Sequence, residues 1–113
     1  MKAIADICII PLGIGISVSR YIAECERIFT EVGLDIKLHA YGTNVEGEFD
    51  QVINALKRCH EHLHSMGVPR ISSSVRIGTR IDRNQTMNEK IGSVETKLGS
   101  IFGGSNQDSG NVS

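Results

Sequence analysis

The spacing of apolar residues switches along the chain between every second position, typical of strands, and every third or fourth position, typical of helices. Alternation predicts four strands, over residues 3–10, 34–41, 44–48 and 70–81. Helical spacing predicts helices over residues 20–32 and 48–66, and a third after Thr86. This order predicts an α+β, ferredoxin-like fold, β-α-β-β-α-β, with a four-stranded antiparallel sheet and an additional C-terminal helix.

The first predicted strand is apolar on both sides. Ala3, Ala5 and Ile7 would face one way, while Ile4 and Cys8 would face the other. A strand of this kind is usually central, and both of its faces need cover. Since the helices cover only one face, we expect a second subunit, or the extra helix of a neighbour, on the other.

Capping and turn residues mark the ends of these elements. Ser17 or Ser19 is the expected N-cap of the first helix, and Gly33 is a typical residue to follow its last turn. Residues 42–44, Gly-Thr-Asn, predict the turn between the second and third strands. Residues 86–89, Thr-Met-Asn-Glu, match a capping box at the start of the third helix.

Length and composition narrow the class of protein. The 113 residues suit one domain, expected over residues 1–102, followed by a polar tail over residues 103–113 that we expect to be disordered. The 12 Lys and Arg nearly balance the 13 Asp and Glu, a composition that argues against nucleic-acid binding. No apolar run suits a membrane helix, and Asp6 interrupts any signal-peptide core. We therefore expect a soluble, cytoplasmic protein.

The cysteines and histidines give weak signals of a metal site. Cys8, Cys25 and Cys59 are an odd number without a Cys-x-x-Cys pair, which favours reduced, packed thiols. Residues 60–64, His-Glu-His-Leu-His, place two histidines one helical turn apart without a recognisable third ligand. A solvated helix face is therefore favoured over a metal site.

Carboxylates cluster just after the predicted turn between the second and third strands. Glu46, Glu48 and Asp50 accompany Thr43 and Asn44 at the start of the second helix. Helix capping and the helix dipole explain this cluster without a function. The alternative is a polar pocket at the end of the hairpin, where carboxylates would bind a cation or a protonated heterocycle and Thr43 would supply a hydroxyl.

Two further patterns leave alternatives open. The loop at residues 13–17, Gly-Ile-Gly-Ile-Ser, allows close backbone approach either to packing or to a ligand. Arg76, Arg80 and Arg83, with Asp82 between the last two, indicate structural ion pairs or, alternatively, anion recognition.

Three segments together resemble the small thiamine-binding protein family of ferredoxin-like domains. They are Pro-Leu-Gly-Ile-Gly-Ile-Ser at 11–17, Tyr-Gly-Thr-Asn-Val-Glu-Gly-Glu-Phe-Asp at 41–50 and Arg-Ile-Gly-Thr-Arg-Ile-Asp at 76–82. The middle segment is the most distinctive of the three. The resemblance covers residues 3 to 99 and leaves out the tail.

The resemblance implies a cytoplasmic homotetramer, a dimer of dimers, that binds thiamine or its hydroxymethylpyrimidine moiety without transforming it. It implies no cofactor and no metal. Thr43, Glu46 and Glu48 match the family's hairpin motif, and Ser17 matches its first loop. Tyr41 departs from the smaller or more flexible apolar residue expected there, so the pocket wall differs at that position.

These matches assign expected contacts to the pocket. Glu46 or Glu48 would face the pyrimidine ring nitrogen, Thr43 would make a polar contact, and Tyr41 or an apolar strand residue would stack on a ring. Two other classes of function compete with this interpretation. One is an interaction or effector-responsive module that docks a partner through the basic strand, and the other is a small thiamine-salvage hydrolase that uses His39 or a cysteine.

Overall fold

The computed structural model describes residues 1–82 and 86–102, with only the backbone for residues 100–102. The chain divides into two compact units, residues 1–82 and residues 83–113. The first unit contains four strands and two helices, and the described part of the second contains one helix.

The elements follow the predicted order. The first unit contains β1 (Lys2–Leu12), α1 (Ser19–Val32), β2 (Asp35–His39), β3 (Gly42–Glu48), α2 (Phe49–Ser65) and β4 (Arg70–Thr79). The second unit contains α3 (Met87–Phe102). All neighbouring strands are antiparallel, in the order β2-β3-β1-β4, so the ferredoxin-like fold with a C-terminal helix is confirmed.

The core of the first unit lies between the inner face of the sheet and helices α1 and α2. Strand β1 contributes alternate side chains to it, Ala3, Ala5, Ile7 and Ile9, as the sequence predicts. The opposite face of β1 is polar at Asp6 and apolar at Ile4 and Ile10, with Ile10 exposed. What covers that outer face stays a prediction.

The turn predicted at residues 42–44 is wrong. The turn lies at residues 40 and 41, because β3 already begins at Gly42, where it pairs with His39 of β2. A Cβ on Gly42 would lie 2.6 Å from the carbonyl oxygen of Ile7. The glycine therefore serves close packing of β3 against β1, and β3 is longer than the predicted strand.

The helix ends match the sequence in two of three cases. Gly33 adopts the left-handed conformation (φ 98°) after α1, and Thr86 and Glu89 form the capping box before α3. The predicted serine N-cap of α1 is wrong, because Val18 occupies that position and makes no side-chain capping bond. Ser19 is instead the first residue of the helix.

The structure leaves the predicted tail untested. The predicted tail, residues 103–113, lies outside the described residues. Among the described helices, none combines the length and apolar character that crossing a membrane requires.

Candidate functional site

The register of the sheet leaves a notch beside the β2–β3 hairpin. Strand β1 pairs with β3 only from Lys2 to Ile7, whereas it pairs with β4 from Ala3 to Leu12. The end of β1, Cys8–Leu12, therefore has a neighbour on one side only within the described sheet. The notch arises because β3 begins at Gly42 and so has no residues to pair with β1 beyond this point.

A cavity of about 340 Å³ lies at this notch. Its volume is near the lower end of the range typical of small-molecule pockets, ~300–1,000 Å³. Most of the side chains around it are apolar. The lining residues are Ile7, Cys8, Ile9, Ile10, Pro11, Val18, Ile22, Cys25, Glu26, Phe29, Leu38, His39, Ala40, Tyr41, Gly42 and Thr43.

The cavity has a buried inner wall and an exposed rim. Ile7 and Phe29 are buried, and they place the inner wall in the protein core. Leu38 and Tyr41, at the end of the hairpin, are 60% and 86% exposed. A ligand that enters past the hairpin would therefore cover apolar surface that is now open to water.

The backbone of β1 adds polar groups to the notch. The carbonyl oxygen of Ile7 faces β3, since it lies 2.6 Å from the Cβ position of Gly42. Backbone groups two residues apart in a strand point to the same side. The N–H and C=O of Ile9 therefore face the notch, beyond the end of the β1–β3 pairing.

Glu26 places a carboxyl group in the cavity wall. It lies on α1 in one stripe with Ile22, Cys25 and Phe29, all of which line the cavity. The Thr43 hydroxyl, which is buried, donates a 2.7 Å hydrogen bond to Oε2 of Glu26. The other carboxyl oxygen, Oε1, is buried without a hydrogen-bond partner.

The surroundings of this carboxyl are unfavourable to its charge. Burial raises the pKa of Glu26 above its ordinary value, and the Thr43 hydrogen bond opposes that rise. An unsatisfied buried polar group costs ~1–3 kcal/mol, and more when it is charged. Glu26 is therefore an acceptor whose partner is missing from residues 1–82.

The predicted ligand residues divide into two groups. Thr43 and Tyr41 line the cavity. Glu46 lies on the opposite face of β3 from Thr43, with Ile4 and Asp35 as its neighbours in register.

The remaining two predicted residues also lie outside the cavity wall. Glu48 pairs with the N-terminal amine at 2.8 Å and forms a capping box with Gln51, so the capping interpretation holds for it. Ser17 is exposed and precedes Val18, which does line the cavity. A ligand contact for Glu46, Glu48 or Ser17 stays a prediction of the resemblance.

Sequence reasoning missed Glu26 because it searched for carboxylates around the hairpin. The available signal was in α1, where the apolar stripe of Ile22, Cys25 and Phe29 includes one carboxylate. An acidic residue inside the buried stripe of a helix needs a partner, and such a position is a candidate for a site.

The histidines of α2 have separate partners. His60 contacts the hydroxyl of Ser73, His62 contacts the Glu24 carboxylate, and His64 contacts the carbonyl oxygen of Val68, each at 2.7 Å. Among the described residues, no three side chains of the metal-binding types come together.

Two of the cysteines, the glycine loop and one of the arginines make contacts that stabilise the fold. The cysteines are unbridged, and Cys25 and Cys59 are buried in the core. The glycine loop packs at Gly13, where a Cβ would lie 2.9 Å from Cγ of Pro69. Arg80 pairs with Asp82, as the ion-pair interpretation predicts, and Arg83 lies outside the described residues.

Comparison with known proteins relates this chain to a protein family. The sequence profile of the thiamine-binding protein family matches residues 5–95. The UPF0045 protein sll0230 of Synechocystis sp. is 55% identical over 98 residues, which are 87% of this chain and 81% of that protein.

Solved structures share the same architecture. Protein MJ1052 of Methanocaldococcus jannaschii superposes with a TM-score of 0.77 at 34% identity, over 82% of this chain and 95% of its own. A Thermotoga maritima protein described as a candidate thiamine biosynthesis/salvage protein superposes with a TM-score of 0.71 at 19% identity, over 83% of this chain and 99% of its own. At that identity the second likeness shows the fold alone.

Proposed function

The chain belongs to the thiamine-binding protein family, and we propose that it binds thiamine, or the hydroxymethylpyrimidine moiety of thiamine, in the cavity beside the β2–β3 hairpin. The cavity supports this proposal because it is small, mostly apolar and lined by Thr43 and Tyr41 of the family-like hairpin segment. Pockets of this kind bind small molecules through apolar walls and a few oriented polar groups.

The chemistry of thiamine suits these walls. Its two aromatic rings offer flat apolar surface to side chains such as Phe29, Ile22 and Leu38, which line the cavity. Its thiazolium ring carries a fixed positive charge, and its aminopyrimidine ring carries hydrogen-bond donors and acceptors. The carboxyl of Glu26 favours a ligand of that charge.

We propose that the protein holds this ligand as a carrier or sensor, without transforming it and without a cofactor. The surroundings of His39 support a binding role, since its two ring nitrogens contact Asp6 and the backbone N–H of Tyr41. A hydrolase that uses His39 as a base would need one of these nitrogens free for the reaction.

Assembly and location form part of the same proposal. We propose a cytoplasmic homotetramer, as the family resemblance implies. The outer face of β1 supports association, because it presents Ile4, Cys8 and Ile10 beside the polar Asp6. Size-exclusion chromatography with light scattering measures the assembly directly, and a monomer at micromolar concentration would contradict it.

Titration calorimetry tests the binding of thiamine and of free hydroxymethylpyrimidine. We expect saturable binding by the wild-type protein, weakened at least tenfold by Ile22→Trp, which fills the cavity. The matched control is Ile53→Trp on α2, whose side chain is exposed and outside the cavity wall. No heat with either compound at millimolar concentration would reject the proposal.

Mass spectrometry of small molecules released from the natively purified protein separates the alternatives. A released thiamine or pyrimidine supports the proposed ligand. Release of a different small molecule instead favours an effector-responsive module on the same cavity.

A further inference from the structure

We infer that Glu26 is the residue that recognises the ligand, by accepting a hydrogen bond at Oε1 from an N–H group of a flat, amidine-like heterocycle. In an amidine-like heterocycle, a ring nitrogen is bonded to a ring carbon that carries an exocyclic amine. The inference rests on the proposed function only for the location of the ligand, in the cavity beside the hairpin.

The first support is that only one of the two carboxyl oxygens of Glu26 has a hydrogen-bond partner. Oε2 is occupied, because the Thr43 hydroxyl donates to it at 2.7 Å. Oε1 is buried and has no hydrogen-bond partner. Buried polar atoms are nearly always hydrogen-bonded to protein or to ordered water, so the donor for this oxygen of a cavity-lining residue comes from a ligand or from a water that the ligand displaces.

The second support is the orientation of the carboxyl group. Thr43 is buried on β3, and its hydroxyl reaches α1 through the hydrogen bond to Glu26. A hydroxyl that donates to Oε2 restrains the rotation of the carboxyl, so the direction of Oε1 is fixed as well. Glu26 recognises the ligand directly, and Thr43 acts as its positioning residue.

The third support is the charge of the cavity wall. None of the cavity-lining residues, which all lie within residues 1–82, is a lysine or an arginine. The other titratable side chains in the wall are Cys8 and Cys25 of β1 and α1, and His39 and Tyr41 of the hairpin. An incoming cation or N–H donor is therefore the natural partner of the Glu26 carboxyl.

This arrangement selects the chemical class of the ligand. A protonated ring nitrogen or an exocyclic amine supplies the donor that Oε1 lacks. A phosphate group beside Glu26 would bring two negative charges together in a mostly apolar wall, so any phosphoester must point toward the exposed rim at Tyr41. The aminopyrimidine of thiamine would therefore enter first.

Calorimetry on Glu26→Gln tests the assignment, with thiamine and 4-aminopyrimidine as probes. We expect the Kd of thiamine to rise by about ten- to a hundredfold, as expected for loss of a hydrogen bond to a charged group. The matched control, Glu24→Gln, makes the same chemical change on α1 at a side chain that pairs with Arg27 and His62 outside the cavity wall. Its Kd should stay within about twofold of wild type.

The outcomes separate this inference from the proposed function. If the wild type binds thiamine and Glu26→Gln binds it equally well, the inference fails and the function stands. If thiamine and hydroxymethylpyrimidine do not bind but 4-aminopyrimidine does, and Glu26→Gln weakens that binding, the function fails and the inference stands. If none of the three compounds binds the wild type, both are rejected.

A measurement on the wild-type protein tests the inference even if Glu26→Gln does not fold. In ¹³C-edited NMR, the side-chain Cδ resonance of Glu26 should shift on saturation with thiamine, while that of Glu24 should not. A stationary Glu26 resonance under saturating thiamine would overturn the inference.

Discussion

The imidazole Nε2 of His39 lies 2.7 Å from Oδ1 of Asp6, and this contact joins the end of β2 to β1 across the backbone of β3. The backbone N–H of Tyr41 donates to Nδ1 of the same ring at 3.3 Å, so in the neutral imidazole Nε2 carries the hydrogen that is donated to Asp6. A Cβ on Gly42 would lie 3.5 Å from Oδ1 of Asp6, an ordinary van der Waals distance, so this contact does not itself require the glycine. The Asp6–His39 contact holds the tip of the hairpin at the rim of the cavity.

Asp6→Asn should loosen the hairpin more than it destabilises the fold. Both side chains of the Asp6–His39 pair are partly exposed, and exposed pairs contribute ~0.2–1 kcal/mol, so we expect a small loss of unfolding free energy. Thiamine binding should weaken about threefold, because Tyr41 and His39 line the cavity. Calorimetry and thermal unfolding measure the two effects.

The control for this variant is Asp35→Asn, which neutralises an exposed aspartate at the other end of β2. Equal thiamine affinity in the two variants would show that the Asp6–His39 contact has no part in holding the site.

Gly42→Ala should destabilise the protein by ~1–3 kcal/mol, the usual cost of forcing extra atoms into a packed region. Its Cβ would lie 2.6 Å from the carbonyl oxygen of Ile7, a backbone atom that cannot rotate away. For a domain of this size the melting temperature falls by ~4–8 °C per kcal/mol. Thermal unfolding followed by circular dichroism measures the loss.

Gly78→Ala is the matched control for that substitution. Gly78 also lies in a strand, β4, but a Cβ there would have no atom within 4 Å. We expect the melting temperature to stay level or rise, since alanine restricts the unfolded chain. Equal losses at the two positions would contradict the steric explanation.

The stability of the ligand-free protein should depend on pH through Glu26. Burial raises the pKa of Glu26, so the folded protein retains its proton at pH values where the unfolded chain has released it. The contribution of Glu26 to stability therefore decreases as pH rises from the ordinary carboxyl pKa through the raised pKa. Relative to wild type, Glu26→Gln should be more stable at neutral pH than at about pH 4, as measured by urea unfolding.

Glu24 supplies a control of opposite sign on the same helix. Hydrogen bonds from Arg27 and His62 lower the pKa of Glu24, so its contribution is present above the ordinary carboxyl pKa and is lost as pH falls through the lowered one. The deficit of Glu24→Gln relative to wild type should therefore shrink in acid. A pH-independent difference for Glu26→Gln would contradict the explanation based on burial.

The fold was predictable because its elements repeat their period over many residues. The alternation in β1 and the apolar stripe of α2 are local patterns. The order of such elements along the chain then predicts the ferredoxin-like fold. The turn at residues 40 and 41 was not predictable, because glycine is typical of turns and Gly42 therefore moved the predicted turn to residues 42–44. Its actual requirement is the approach of β3 to the Ile7 carbonyl, which depends on a distant strand.

The site was predictable only in its hairpin part. Thr43 and Tyr41 line the cavity, but the partner of Thr43 is Glu26, which is 17 residues away in the sequence and on another element. The notch depends on where the β1–β3 pairing stops, a property of register that no local motif encodes. A carboxylate within the apolar stripe of α1 was the available signal.

Glu48→Gln and Glu46→Gln test the acidic residues that the sequence favoured. We expect the thiamine Kd of both variants to stay within about twofold of wild type, because neither side chain lines the cavity. The N-terminal amine lowers the pKa of the exposed Glu48, so Glu48→Gln should lose some stability, and less at high salt. If Glu48→Gln instead weakened thiamine binding tenfold while Glu26→Gln did not, the ligand carboxylate would be the one implied by the family resemblance and the role of Glu26 would be structural.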